Sequence, residues 1–148
     1  MSSDILQKST PASSISQAAA GALIAAVHAA AARIGFTAAV AVTDHGGHLK
    51  AFDRADDAPF LTAEVALDKA WTAAAFHTPT HGWNDYLANP KIAPLGGHPR
   101  LMAVGGGYPI TESGRCVGGL GISGGSYEQD RQAAEEALAA LGFELPAR

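Results

Sequence analysis

The sequence predicts an α+β domain, a five-stranded antiparallel sheet with helices packed on it, in the order α-β-β-α-α-β-β-β-α. Two long stretches, near residues 15–34 and 126–141, repeat apolar residues at the spacing of one helical face. Between them the apolar runs are short, rich in β-branched residues and divided by glycine pairs and triplets. Those turns are too short for a parallel crossover, so neighbouring strands pair antiparallel.

The first helix is read from the Ser14-Ile15-Ser16-Gln17 pattern, a capping box in which hydroxyl and amide satisfy orphan backbone donors. Ala18, Ala22, Leu23, Ala26, Val27, Ala30 and Ile34 form its apolar face, and Gly35 is its stop. Phe36 to Thr43 and Leu49 to Phe52 read as a hairpin turned by Gly46-Gly47. Asp57-Ala58-Pro59 opens a second helix running from about Phe60 to Phe76, which must end before Pro79. Thr80 to Leu87 reads as a short third helix capped by Thr80. Asn89 to Arg100, with three prolines and two glycines, is a loop. Leu101 to Val104, Tyr108 to Thr111 and Cys116 to Ile122 read as three strands. A last helix opens at the Ser126-to-Gln129 capping box and ends at Gly142.

The chain has 148 residues, the length of one domain, and 47% of them are hydrophobic, so a core is available and disorder is excluded. Residues 1–12 read as a flexible polar leader and 13–148 as a single domain. The net charge is −4 with no basic run, which leaves nothing to neutralise nucleic-acid phosphates. The single Cys116 excludes an internal disulfide and suits a reducing compartment. The first eight residues lack a basic segment followed by an apolar one, so no signal peptide and a cytoplasmic location are expected. Ile15 to Ala32 is too small and polar-spotted for a membrane span.

Gly119-Leu120-Gly121-Ile122-Ser123-Gly124 spells a dinucleotide fingerprint, but that motif needs a second parallel strand and an acidic residue about 20 positions on. No second strand is expected after the last helix, so the βαβ unit does not close and the glycines read as a tight strand-to-helix turn. The backbone donors at Gly124-Gly125-Ser126 still suit a ligand carboxylate. The six histidines show no metal-ligand spacing: His77 and His81 are four apart, but Pro79 breaks the helix that would align them.

Asp44 either hydrogen-bonds its own turn or serves as a general base. Arg54 either pairs with Asp56-Asp57 or points a planar fork at a ligand carboxylate. Lys69, deep in the second helix, either snorkels outward or offers a cation to a pocket. Trp71, Phe76, His77, Thr78, Thr80, His81 and Trp83 surround a helix break. They make either an aromatic-covered corner or an apolar slot for a flat ligand, and a porphyrin would suit such a slot.

Four segments, VTDHGGHL from Val42, KAWTA from Lys69, GGGYPI from Gly105 and VGGLGISGGSYEQD from Val117, together resemble the GlcG/HbpS family of haem-degrading proteins. The family is similar to the C-terminal domain of PduO-type corrinoid adenosyltransferases, and the likeness runs from about Ser14 to Leu141. It implies a profilin-like domain, homo-oligomers, and haem binding or degradation in some members. It also points to Thr78, Thr80 and His81 as candidate haem contacts.

Three readings follow. The first is a haem-binding protein that also degrades haem slowly. Trp71, Phe76 and Trp83 would be its walls, and His77, His81 or Thr80 the iron ligand. Arg54, Lys69 or the Gly124-Gly125-Ser126 turn would meet the propionates, with Gly106 and Gly107 also lining the site. The second is a cofactor-free enzyme or binder for a small organic acid. There Asp44 would act as base, with Lys69, Arg54 and glycine backbone donors stabilising negative charge. The third is a structural partner whose alanine-rich helix builds an oligomer. None needs nucleic acid or a membrane, and all three expect a homo-oligomer.

Overall fold

The computed structural model describes residues 5–146 and shows an α+β fold: four α-helices and, among those residues, a four-stranded antiparallel sheet. The helices are α1 (Gln17–Ile34), α2 (Leu61–Phe76), α3 (Trp83–Leu87) and α4 (Tyr127–Ala140). The strands are β1 (Ala39–Asp44), β2 (Leu49–Arg54), β3 (Gly107–Glu112) and β4 (Arg115–Ser123), ordered β2-β1-β4-β3.

Local chemistry sets the helix ends. Ser16, not Ser14, caps α1 by accepting the Ala19 N–H, and Gly35 closes it at φ 108°. Ser14 instead accepts the His45 N–H and ties the chain before α1 to the hairpin. At α4 both halves of the capping box form, Ser126 with the Gln129 N–H and Gln129 with the Ser126 N–H. By length and composition α1 is apolar enough to cross a membrane, but Ala20, Leu23, Val27, Ala30 and Ala31 are buried in the protein's own core.

Side-chain alternation gives the sheet two buried faces. Val40, Val42, Tyr108, Ile110, Leu120 and Ile122 join the α1 and α4 faces in the main core. Ala39 and Ala41 face the other way, onto Ala66 and Ala70 of α2. Beside them Gly119 and Gly121 present no side chain, and a Cβ at either would collide with the carbonyl oxygen of Ala70 or Ala66. The first two glycines of the fingerprint-like run therefore lie inside β4 and let α2 rest on bare backbone. Only Gly124, at φ 133°, serves the strand-to-helix turn.

The expected strand Leu101 to Val104 is not one. Its backbone groups bond side chains instead of a ladder: the Met102 N–H donates to Thr72 Oγ1, and the Val104 carbonyl accepts from Thr80. Thr80 is consequently no helix cap. Its hydroxyl is fully buried, accepts the Gly107 N–H at 2.9 Å and fastens the break after α2 to the start of β3. The predicted third helix divides into a 3-10 turn (Thr80–Gly82) and α3. Asn89 to Arg100 also carries a short 3-10 helix, Ala93–Gly97.

Candidate functional site

α2 ends where His77 takes the left-handed conformation, φ 53°, and Pro79 turns the chain toward β3. This reversal separates the residues expected to share one slot. Trp71 stays with the β1–β2 hairpin: Gly47 sits against the indole edge, His98 stacks on the ring at 5.5 Å and the Arg100 guanidinium lies 4.6 Å from its centre. Trp83 is buried beyond the break and packs edge-on against the exposed Phe76 at 5.1 Å and against Tyr86 at 5.5 Å. The two tryptophans line no common slot.

Two adjoining hollows, of about 350 and 390 Å³, form a groove that shares His45, His77 and Cys116. Trp71, Ala74 and Ala75 line one end, the hairpin turn Gly46-Gly47 one wall, and Pro11, Ala12 and Arg115 the other end. His77 is exposed; its backbone N–H donates to the Ala73 carbonyl, while its imidazole makes no hydrogen bond or ion pair among the described residues. The Cys116 thiol donates to the Gly118 carbonyl, and burial pushes its pKa up despite backbone hydrogen bonds, so it stays a thiol and a poor iron ligand. His45, Arg115 and Cys116 escaped the sequence reading as groove residues. The Asp-His-Gly-Gly turn was the one available signal for His45.

A second, smaller pocket of about 220 Å³ lies between the Thr80–Gly82 turn, β3, α4 and the C-terminal segment. His81, Tyr108, Arg131 and Glu135 line it with Pro79, Leu145 and Pro146. His81 thus faces a different cavity from His77. The Tyr108 hydroxyl donates to Glu135, and burial, the Glu135 bond and its charge raise its pKa to about 12 although Arg131 opposes them. The folded state keeps this proton while the unfolded chain loses it near 10, so this stabilisation is complete below pH 10 and fades as pH rises to about 12. A tyrosinate absorbance titration should show one late component near 12 that disappears in Tyr108→Phe.

The remaining expected contacts are engaged inside the protein. Lys69 Nζ is buried, donating to the Ile122 carbonyl at 2.8 Å and to Asp130 Oδ2 at 3.1 Å. Burial pushes the lysine down and the aspartate up, each partly opposed by the other's charge. Lys69 is therefore neither snorkelled nor facing a pocket. Asp130 Oδ1 accepts the Gly125 N–H and Gln129 the Ser126 N–H, so two donors of the Gly124-Gly125-Ser126 turn serve the protein's own side chains. Gly106 lies against Asp130 and Lys69, with a built Cβ 2.9 Å from Nζ, and Gly107 against Thr80 and Lys69. Both are buried, with no room for a ligand between them and their neighbours.

Asp44 Oδ1 accepts the N–H groups of Gly46 and His48, each at 3.0 Å, and closes its own turn. Slight desolvation raises its pKa, but those bonds and the His48 imidazole outweigh it and hold the carboxyl below its ordinary value. That makes it a weak base. Arg54 donates to the Ala58 carbonyl, not to Asp56 or Asp57. The Thr78 hydroxyl donates to the Phe76 carbonyl at 2.9 Å. Of the expected site residues, the structure brings only His77 and Trp71 together in the groove. Among the described residues no three of His, Cys, Asp and Glu stand close enough to hold a metal ion.

Comparison with known proteins gives these observations a context. The family model of haem-degrading HbpS-like proteins matches residues 15–139. Protein GlcG of Escherichia coli is 36% identical over 109 residues, covering 74% of this chain and 81% of GlcG. Corrinoid adenosyltransferase PduO of Salmonella typhimurium is 41% identical over 106 residues, which cover 69% of this chain but only 31% of PduO. Among solved structures, a PduOC complex with haem superposes with a TM-score of 0.80 at 32% identity, covering 88% of this chain and 97% of that one. With the family model spanning nearly all of α1 to α4, the chain belongs to the family of haem-degrading HbpS-like proteins.

Proposed function

We propose that this protein binds haem in the groove between the C-terminal half of α2, the β1–β2 hairpin and the start of β4. The observation that carries the reading is the groove's donor set: two imidazoles, His45 and His77, beside the small apolar wall of Ala74 and Ala75. Haem iron takes a neutral imidazole readily, and an open apolar cleft suits a flat macrocycle. His77, exposed at the left-handed end of α2 with an imidazole that makes no hydrogen bond among the described residues, is the iron ligand in this reading. Arg115 at the far end offers a cation to a propionate.

Bound haem would supply redox and oxygen chemistry, while the chain's own residues orient the ring and hold its propionates. The relative solved with haem supports the ligand class. Haem degradation, a homo-oligomer and a cytoplasmic location belong to the same proposal. The exposed Leu49 and Phe52 of edge strand β2 support self-association.

Titrating haemin into purified protein should give a saturable, shifted Soret band. His77→Ala should weaken it about tenfold or more, whereas His81→Ala should leave it unchanged. Equal binding by His77→Ala, or loss of the band in His81→Ala, would assign the iron elsewhere.

A further inference from the structure

We infer that the pocket between the Thr80–Gly82 turn, β3 and α4 is a separate binding site for a short monocarboxylate with a hydroxyl or carbonyl group next to the acid. Arg131 receives the carboxylate and His81 the neighbouring group.

Arg131 is a half-buried guanidinium in this concave site, where its charge acts on the Tyr108 hydroxyl and on the His81 ring. Its stem lies over Gly105, where a Cβ would come within 2.9 Å of Cδ. That glycine leaves room for the arginine stem beside the chain that leads into β3. Guanidinium geometry matches a carboxylate through two parallel hydrogen bonds.

His81 supplies the second element. Its Nδ1 is buried and has no hydrogen-bond partner, while the ring leans on Tyr108 at 5.8 Å. Burial, and then the Arg131 charge, push its pKa down, with Glu135 opposing, so the imidazole is neutral near pH 7. A neutral ring has one donor and one acceptor nitrogen and can meet either a carbonyl or a hydroxyl.

Size and charge narrow the ligand further. A cavity of about 220 Å³ has the volume of roughly seven waters, enough for a short acid and far too little for a porphyrin. Pro79, Leu145 and Pro146 give it an apolar side suited to a short carbon chain. Beside Arg131 the polar lining is His81 and the Tyr108–Glu135 pair, so a second acidic group on the ligand would find no further lysine or arginine among the described lining residues. This selects monocarboxylates over dicarboxylates and phosphate.

The test follows the His81 ring resonances by NMR at pH 7. Acetate, 2-hydroxypropanoate, 2-oxopropanoate, succinate and inorganic phosphate are titrated separately, and haemin titration of the same samples reports on the groove. The hydroxy and oxo acids should give saturable shifts at millimolar concentration, acetate weaker ones, and succinate and phosphate none. Arg131→Gln should weaken binding about tenfold or more. Arg131→Lys, which retains a cation without the fork, should fall between, and neither variant should alter the Soret titration. Absence of a saturable shift in the folded wild type, equal affinity in Arg131→Gln, or stronger binding of succinate or phosphate would overturn the inference.

Discussion

Gly121→Ala should lower the melting temperature more than a change at any other glycine except Gly119. A methyl group at Gly121 would overlap the carbonyl oxygen of Ala66 and crowd the Ala70 N, both main-chain atoms of α2 that cannot rotate away. Relief requires α2 to rise off the sheet, opening its contact with Ala39 and Ala41 as well. Overpacking in a core costs about 1–3 kcal/mol where side chains can adjust, and here only backbone can move, so about 3 kcal/mol or more is expected. For a chain of this size that is a fall of roughly 6–12 °C. Gly21 is the control. It lies inside α1 with nothing within 4 Å of a built Cβ, and Gly21→Ala should stabilise the helix by about 0.5–1 kcal/mol. Thermal unfolding followed by circular dichroism measures both. An unchanged transition in Gly121→Ala would mean that α2 does not seat on β4.

The same glycines show where the sequence was readable and where it was not. Signals written within a few residues came through: the Gly35 stop, the Ser126-Gln129 capping box, the Gly46-Gly47 hairpin and the Asp44 turn. Each is closed by partners at most a few positions away. The glycines of β4 were read as a turn because a period of two in a strand also fits a G-x-G spelling. Only the arrival of α2, more than 40 residues earlier in the chain, reveals Gly119 and Gly121 as a helix seat. Leu101 to Val104 misled for a related reason. Its composition suits a strand, but Thr72 and Thr80 capture backbone groups that a ladder would have used.

The candidate site was less legible, since what matters there is which distant groups meet. The aromatic and histidine content of residues 71–83 correctly marked an unusual corner, but the left-handed turn at His77 directs its members into different cavities. No local pattern links His81 to Arg131 and Glu135 on α4, or His77 to Arg115 and Cys116 on the far side of the sheet sequence. Lys69 and Asp130 are 61 positions apart, and neither residue's neighbours hint at the other. A lysine amid alanines looked like a cation awaiting a ligand because its carboxylate was out of view.

That pair carries the second large effect. Lys69 and Asp130 side chains are 2% and 3% exposed, so removing one charge leaves the other in a medium that cannot solvate it. Lys69→Met should cost about 3–5 kcal/mol, roughly 6–20 °C in melting temperature. Asp130→Asn should be milder, because an amide oxygen can still accept the Gly125 N–H that Oδ1 holds now. In Lys69→Met/Asp130→Asn the stranded charge is gone, and the double variant should be more stable than Lys69→Met alone by about 1–3 kcal/mol. A lysine that pointed at a ligand would give the opposite pattern. Its removal would leave stability nearly intact, and adding Asp130→Asn would bring no recovery. Chemical denaturation of the three variants and the parent closes the cycle, and additive losses would dissolve the pairing. If the coupling is found, the glycine-rich turn before α4 is held by the protein's own carboxylate, and anionic ligands must be received elsewhere on the molecule.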